Sequence, residues 1–291
     1  MFVCMTIQVA QQKLMFQLFH YYDNSEAANI ADLVLEHLTG RKRIDRIANK
    51  NVKLSTDMES RLHAYITQFE QGRPVQYILN ESWFYGMKIY VDEQVLIPRP
   101  ETEELVDWML KMEKGKGIKK VADIGTGSGC IAIALKKNWI EAEVYACDVS
   151  TDALNIAAKN ANYHHTPIDF LNLDVLNSQC WNALPMLDLI VSNPPYIPLS
   201  EKTGMQQHVV KHEPSLALFV QDDDPLLFYR MIGLMGKNKL APNGTIYVEA
   251  HEDFALRTAE LFNTQGYVDV EVKKDMQGKQ RMIRARRDVQ Q

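Results

Sequence analysis

KKVADIGTGSGCIAIALKKN, residues 119–138, opens with a short apolar run, turns through closely spaced glycines and continues with helical periodicity. The opening run reads as a buried strand, and the helical stretch as the crossover that returns the chain to a parallel neighbour. Gly125, Gly127 and Gly129 are spaced GxGxG. Glycines in such a βα turn let a ligand approach the backbone closely at the carboxyl end of a parallel strand, beside a helix N-terminus. A plain tight connection uses the same residues, so the turn alone assigns no ligand. The dinucleotide fingerprint calls for a further glycine at position 130, where this chain has Cys130.

Outward from this unit the alternation continues. EVYACDV (143–149), IDFLNL (168–173), LDLIVS (187–192) and GTIYVEA (244–250) read as strands. TDALNIAAKNANYHH (151–165), DPLLFYRMIGLMGKNKL (224–240) and EDFALRTAELFNTQG (252–266) read as helices. Alternation of this kind predicts a parallel sheet covered on both faces. Asp224 is expected as the cap of the long helix and Pro225 at its first position, which makes Asp222, Asp223 and Asp224 a solvated helix start. VDVEVKK and RMIRARR form a closing hairpin. Its basic set, Lys273, Lys274, Lys279, Arg281, Arg284, Arg286 and Arg287, reads as the alternation of an exposed strand.

Upstream, residues 1 to about 75 read as helices. In NSEAANIADLVLEHLTG (24–40) Ala27, Ile30, Ala31, Val34, Leu35 and Leu38 make an apolar stripe, with Ser25 as cap and Gly40 as stop. Thr56 and Glu59 suggest a capping box for a second helix that closes at Gly72 and Pro74. From Tyr77 to Ile97 aromatic and β-branched residues around Gly86 and Asp92 suggest a strand pair. The expected division is a helical domain over 1–76, a connector of strand pair and helix over 77–117, and a catalytic α/β domain over 118–291.

DLIVSNPPYIP, residues 188–198, ends a buried strand at Asn193, because proline has no N–H for the ladder. Pro194 and Pro195 offer carbonyls without donors, and this acceptor-rich corner suits a ligand carrying an NH2 group. Asp148, at the end of the second strand, is placed to accept both hydroxyls of a ribose. Asp174, after the third, is placed to accept from an adenine amino group, although a lone aspartate there is commonly a loop cap. All of these positions fall at carboxyl ends of successive strands, where open α/β sheets bind ligands.

With those residues in place, the chain resembles the class I methyltransferases dependent on S-adenosylmethionine, and more closely the release factor glutamine methyltransferases (the PrmC/HemK family). The resemblance rests on RPVQYIL with WFYG (73–86), VLIPRPETEELV (95–106), DIGTGSG (123–129), IVSNPPYI (190–197) and HEPSLAL (212–218), together with the helical N-terminal part. It implies a Rossmann-like sheet, mostly parallel with a closing antiparallel hairpin, behind a small helical substrate-recognition domain. It implies S-adenosylmethionine held by Gly125, Thr126, Gly127, Ser128, Gly129, Asp148, Asp174, Val175 and Asn193. Catalysis is implied at Asn193, Pro194 and Tyr196, with Pro195 completing the substrate corner and Tyr196 against the flat amide. The implied partners are peptide chain release factors, methylated on the glutamine side-chain nitrogen of a Gly-Gly-Gln loop. Two departures stand out: Val175 where relatives often carry a large aromatic, and VQDDDPL (220–226) where a glycine-containing stretch is usual. Arg99 and Glu101 are candidates without roles.

Composition narrows the remaining choices. A net charge of −5 and a near balance of nine Lys and Arg against eight Asp and Glu in residues 1–80 disfavour direct nucleic-acid binding. NPPY is nevertheless shared with enzymes that methylate the exocyclic amine of adenine, so that activity, or a silent binding module on the same fold, is the alternative. The cysteines at 4, 130, 147 and 180 form no CxxC pair and fit a reducing cytoplasm. The N-terminal stretch has neither the leading basic segment of a signal peptide nor an uninterrupted membrane span. His208 and His212, four apart, lack a third ligand and read as surface histidines, so no metal is expected.

Overall fold

The computed structural model describes residues 5–205 and 207–288. Cys4 and the side chain of His208 lie outside the described residues. The chain divides into two compact units, one running up to Glu81 and taking in Gln207–His212, the other holding the rest.

The first unit contains helices α1 (Ile7–Leu18), α2 (Asn24–Thr39), α3 (Arg43–Ala48), α4 (Thr56–Glu70) and α5 (Val75–Leu79). Every apolar position expected on α2, from Ala27 to Leu38, is buried against Leu14, Leu18, Leu62 and Phe69. Gly40 ends α2 with φ of +66°, a left-handed conformation that costs glycine little. The starts differ from expectation. Asp23, not Ser25, caps α2, because its carboxylate accepts the N–H groups of both Ser25 and Glu26. Ser55 caps α4 by accepting from Met58 N, and Glu59 accepts from Met5 N instead of closing a box with Thr56. His212 Nε2 lies 3.4 Å from the Gln71 carbonyl oxygen.

The second unit begins with a hairpin, β1 (Ser82–Phe84) and β2 (Met87–Ile89), whose two turn residues Tyr85 and Gly86 both have positive φ. That is the primed turn that matches strand twist. The strand pair is thus shorter than expected, since Val75–Leu79 folds as helix. Helix α6 (Pro100–Met112) follows, then β3 (Lys120–Ile124), α7 (Cys130–Asn138), β4 (Glu143–Asp148), α8 (Thr151–Tyr163), β5 (Asp169–Asn172) and β6 (Leu187–Ser192). The short strands β7 (Ile197–Pro198) and β8 (Phe219–Val220) pair across a loop that includes the helices α9 (Gln207–His212, of the first unit) and α10 (Ser215–Leu218). Helix α11 (Leu227–Lys239), β9 (Leu240–Glu249), α12 (Ala255–Thr264), β10 (Tyr267–Lys274) and β11 (Gln280–Arg287) complete the chain.

The central sheet has the order β10-β11-β9-β6-β3-β4-β5. β9, β6, β3, β4 and β5 are parallel, and β11 and β10 are antiparallel. From β3 the chain first moves outward through β4 and β5, then crosses to β6 on the other side, so a topological switch point lies between β3 and β6. Helices α11 and α12 place Tyr229, Ile232, Met235 and Phe262 against Ile190, Ile246 and Ile283. Each such fully buried side chain is worth about 1.5–3 kcal/mol. Trp108 of α6 meets Tyr247 edge to face at 5.4 Å.

Two expectations are corrected here. Helix α11 starts at Leu227 with Leu226 as cap, and Asp224 instead pairs with Arg230 from the turn before it. RMIRARR is no exposed strand: β11 lies between β9 and β10, and Met282, Ile283, Arg284 and Ala285 are all buried. Arg284 is tolerated there because its Nε donates to Tyr247 Oη at 3.1 Å, while that hydroxyl donates to buried Glu113 at 2.6 Å. Arg284→Met is therefore expected to destabilise the fold by about 1.5–3 kcal/mol, the range for a hydrogen bond involving a charged group. Denaturant unfolding checks this, and an unchanged midpoint would contradict it.

Candidate active site

The turn after β3 is built by glycine conformation and one buried acid. Gly125, Gly127 and Gly129 have φ of +72°, +53° and +80°. Gly125 N and Thr126 N both donate to the Cys147 carbonyl, at 2.8 and 2.9 Å, which ties the turn to β4. Thr126 Oγ1 donates to Asp123 Oδ2 at 2.6 Å, and Ala132 N donates to the same oxygen at 3.2 Å. The three glycines then separate in role. A side chain at Gly125 or Gly127 would meet nothing within 4 Å, so both leave the backbone open to the cavity. At Gly129 a Cβ would sit 3.0 Å from Ala157 Cβ, so this glycine serves the approach of α7 to α8 and is not on the cavity wall.

The cavity, of about 320 Å³, lies along the carboxyl ends of the parallel strands. Thr126 and Ser128 join Gly125 and Gly127 on one wall. Asp148, at the end of β4, accepts from Gly127 N through Oδ2 and from Ser150 N through Oδ1, both at 2.9 Å. Burial pushes its carboxyl above the usual range, and those N–H groups pull it back. Each oxygen retains a lone pair for a ligand hydroxyl. Asp174 and Val175 continue the wall. Asp174 Oδ1 also accepts from Leu176 N at 2.8 Å, so the residue caps its loop as well as facing the cavity. Val175 is held from behind by Trp181, whose indole N–H donates to its carbonyl at 3.0 Å.

Strand β6 ends at Ser192, as the proline argument requires, and Asn193, Pro194 and Pro195 face the same cavity. Tyr196 does not line it. Its hydroxyl donates to Glu249 Oε1 at 3.1 Å, which makes it an anchor of the loop.

Four residues that the pattern left unread or without a role complete the surroundings. Arg99 Nη2 pairs with Glu213 Oε1 at 2.5 Å, and Glu213 is almost fully buried. That pair fastens the IPRPETE segment to the HEPSLAL segment, both of which reach the cavity through Pro98, Arg99, Pro214 and Leu216. Thr102 lies between Asn193 and Glu249, bonded to both. Glu249 closes β9 after an apolar run, and a carboxylate ending a buried strand was the one sequence signal for it. Glu101 is bonded elsewhere: its Oε1 accepts from Gln277 Nε2 at 3.4 Å.

A doubly wound sheet with a glycine turn and carboxylates on one rim of strand ends defines the architecture of class I methyltransferases. The comparisons agree. Residues 102–215 match the methyltransferase small domain, and residues 16–79 match the PrmC N-terminal domain. The release factor glutamine methyltransferase of Flavobacterium psychrophilum is 41% identical over 266 residues, 90% of this chain and 93% of that one. That of Bacteroides thetaiotaomicron is 39% identical over 266 residues, 91% and 95% of the two chains. Among solved structures, a methyltransferase from Pyrococcus furiosus superposes with a TM-score of 0.51 at 16% identity, over 80% of this chain and all of that one. The hMettl16 catalytic domain in complex with a MAT2A 3′UTR hairpin gives 0.55 at 16% identity, over 81% and 82%. These structural likenesses carry the fold alone. The chain belongs to the release factor glutamine methyltransferase family.

Asp123 supplies a pH test of the turn. It is fully buried with Oδ1 unpartnered, and burial raises its carboxyl to about 7. A carboxyl that holds its proton more tightly when folded contributes stability that is complete below the ordinary carboxyl range and is lost as pH rises towards about 7. Between pH 5 and 7 the protein should lose stability relative to Asp123→Asn on the order of 1 kcal/mol per pH unit. Parallel thermal-melting curves for the two proteins would contradict the assignment.

Proposed function

We propose that this protein transfers a methyl group from S-adenosylmethionine to the side-chain amide nitrogen of the glutamine in the Gly-Gly-Gln loop of peptide chain release factors. The observation that carries the reading is that Asn193 and Pro194, a corner rich in acceptors, face the same cavity as the open glycine turn and Asp148. The names of the relatives point to the same substrate.

The residues fit the donor. Gly125 and Gly127 leave room for close approach to the backbone, and Asp148 offers free lone pairs to ribose hydroxyls. Asp174 and Val175 are assigned to the adenine edge and face, with Val175 giving aliphatic contact where an aromatic would stack. When bound, the donor supplies an electrophilic methyl on a sulfonium, so the chain itself needs no nucleophile.

An amide nitrogen is a poor nucleophile because its lone pair is delocalised into the carbonyl. Asn193 Oδ1 and the Pro194 carbonyl each accept one N–H of the substrate amide, which orients its nitrogen and stabilises the positive charge that grows there during transfer. The bound donor would supply the methyl and keep on sulfur the electron pair of the broken carbon–sulfur bond, and the amide nitrogen would release its proton to water. Pro195 keeps the corner free of competing donors, and Tyr196 holds the loop through Glu249. The near-neutral helical unit suits a folded protein partner better than a phosphate backbone. The free thiols of Cys130, Cys147 and Cys180 suit a reducing compartment, and we place the enzyme in the cytoplasm. Among the described residues no helix is long and apolar enough to cross a membrane.

Two variants separate donor from substrate. Asp148→Ala is expected to weaken S-adenosylmethionine binding by about 1–3 kcal/mol, read by calorimetry, and wild-type affinity would remove Asp148 from the site. Asn193→Ala is expected to leave that affinity nearly intact while transfer of labelled methyl falls about 100- to 1000-fold. Equal losses in binding and turnover would reassign Asn193 to the donor. A release factor with Gln→Glu in the loop should accept no methyl, since a carboxylate has no N–H to donate, and methylation of that variant would defeat the acceptor corner.

A further inference from the structure

An asparagine amide presents an acceptor oxygen on one side and a donor NH2 on the other, and half a turn of its outer torsion exchanges them at the same place. An acceptor corner therefore works only if something decides which side of Asn193 faces the cavity. The Asn193 amide is bonded to Thr102 Oγ1 at 3.0 Å. That hydroxyl has one proton, and it lies on the 2.6 Å bond to Glu249 Oε2. Toward Asn193, Thr102 is left as an acceptor only. The NH2 of Asn193 must then point at Thr102, and Oδ1 is left for the substrate.

The direction of this chain is set at its far end. Glu249 is 1% exposed, and its second oxygen accepts from the Tyr196 hydroxyl at 3.1 Å. An ionised carboxylate can only accept, so both hydroxyls are obliged to donate to it. One buried charge thereby holds two members of the same loop, Tyr196 directly and Asn193 through Thr102.

We propose that Thr102 and Glu249 are positioning residues that lock the Asn193 amide with its oxygen toward the substrate. The proposal rests on the amide-methylation reading above. A proton on Glu249 undoes the lock: the carboxyl donates to Thr102, Thr102 donates to Asn193 Oδ1, and the NH2 turns to the cavity, where it opposes the N–H groups of the substrate. The groups around the carboxyl are Glu101 and Thr102 of α6, Tyr196 of the loop and Arg281 of β11; the Tyr229 hydroxyl of α11 donates to the Glu249 main-chain carbonyl, and the ring of His251, just beyond β9, lies 6.2 Å from that of Tyr196. Burial raises the Glu249 carboxyl, Glu101 adds to that, and the hydroxyls and Arg281 oppose it.

The test compares Thr102→Val, Thr102→Ser and Glu249→Gln in the full-length enzyme acting on intact release factor. Thr102→Val keeps the shape and removes the relay, so kcat should fall about 10- to 100-fold with the S-adenosylmethionine Kd changed less than about threefold, and Thr102→Ser should restore most of the loss. The wild type should lose kcat as pH falls through the Glu249 transition. Glu249→Gln should be slow throughout, without that acid limb. Independently of turnover, the Asn193 side-chain NH2 resonances in ¹⁵N-asparagine-labelled protein should show a hydrogen-bonded shift and slowed exchange that Thr102→Val abolishes. Wild-type kcat in Thr102→Val, an acid limb kept in Glu249→Gln, or unchanged Asn193 resonances would overturn the proposal. If the wild type left release factor unmethylated, the function reading would fail, while the resonances would still decide the orientation of Asn193.

Discussion

The parallel pairing of β3 with β4 and β6 is the constraint on which the site depends. Ile124 stands opposite Cys147 on one side and Ser192 on the other, so the residues that follow all three strands emerge on one rim. Gly125, Asp148 and Asn193 are neighbours for that reason alone. Register also brings Asn172 of β5 level with Asp148, and Val248 of β9 level with Ser192, which sets Asp174 and Glu249 at the two ends of the same row. A register slip of one residue would turn each of these side chains into the opposite layer.

Two buried carboxyl groups hold that rim in shape. Asp123 lies beneath the glycine turn and gathers Thr126 Oγ1 and Ala132 N onto one oxygen. Glu249 lies beneath the NPPY loop and gathers Thr102 and Tyr196. Burial opposes the charged form of both, and the converging donors offset that opposition, joined at Glu249 by the charge of Arg281. Backbone and side-chain donors placed in this way are worth more in a dry interior than in water, so they constrain the two loops where a ligand must meet them.

Local rules made much of this legible in the sequence. GxGxG after an apolar run, and a strand stopped by two prolines, are signals confined to a few adjacent residues, and both strand ends lie where the pattern placed them. Contacts between distant segments were not legible. Thr102 and Glu249 are 147 positions apart, and no periodicity links them. Arg99 and Glu213 meet only because the HEPSLAL segment folds back beside the proline-rich one. RMIRARR has the alternation of an exposed strand, yet sheet order places it between two neighbours, and order is a property of the whole chain. The helix starts differ for a smaller reason: Asp23 and Ser55 took caps from the residues beside them.

The central claim is that an acceptor corner at the end of β6 methylates an amide nitrogen held by a protein loop. Peptide mass mapping of release factor, after reaction with a donor carrying a deuterated methyl, tests it most directly. The account predicts the label on the side-chain nitrogen of the Gly-Gly-Gln glutamine and at no other position in that loop. Label on adenine amines of added RNA or DNA, with unmodified release factor at matched concentration, would contradict it.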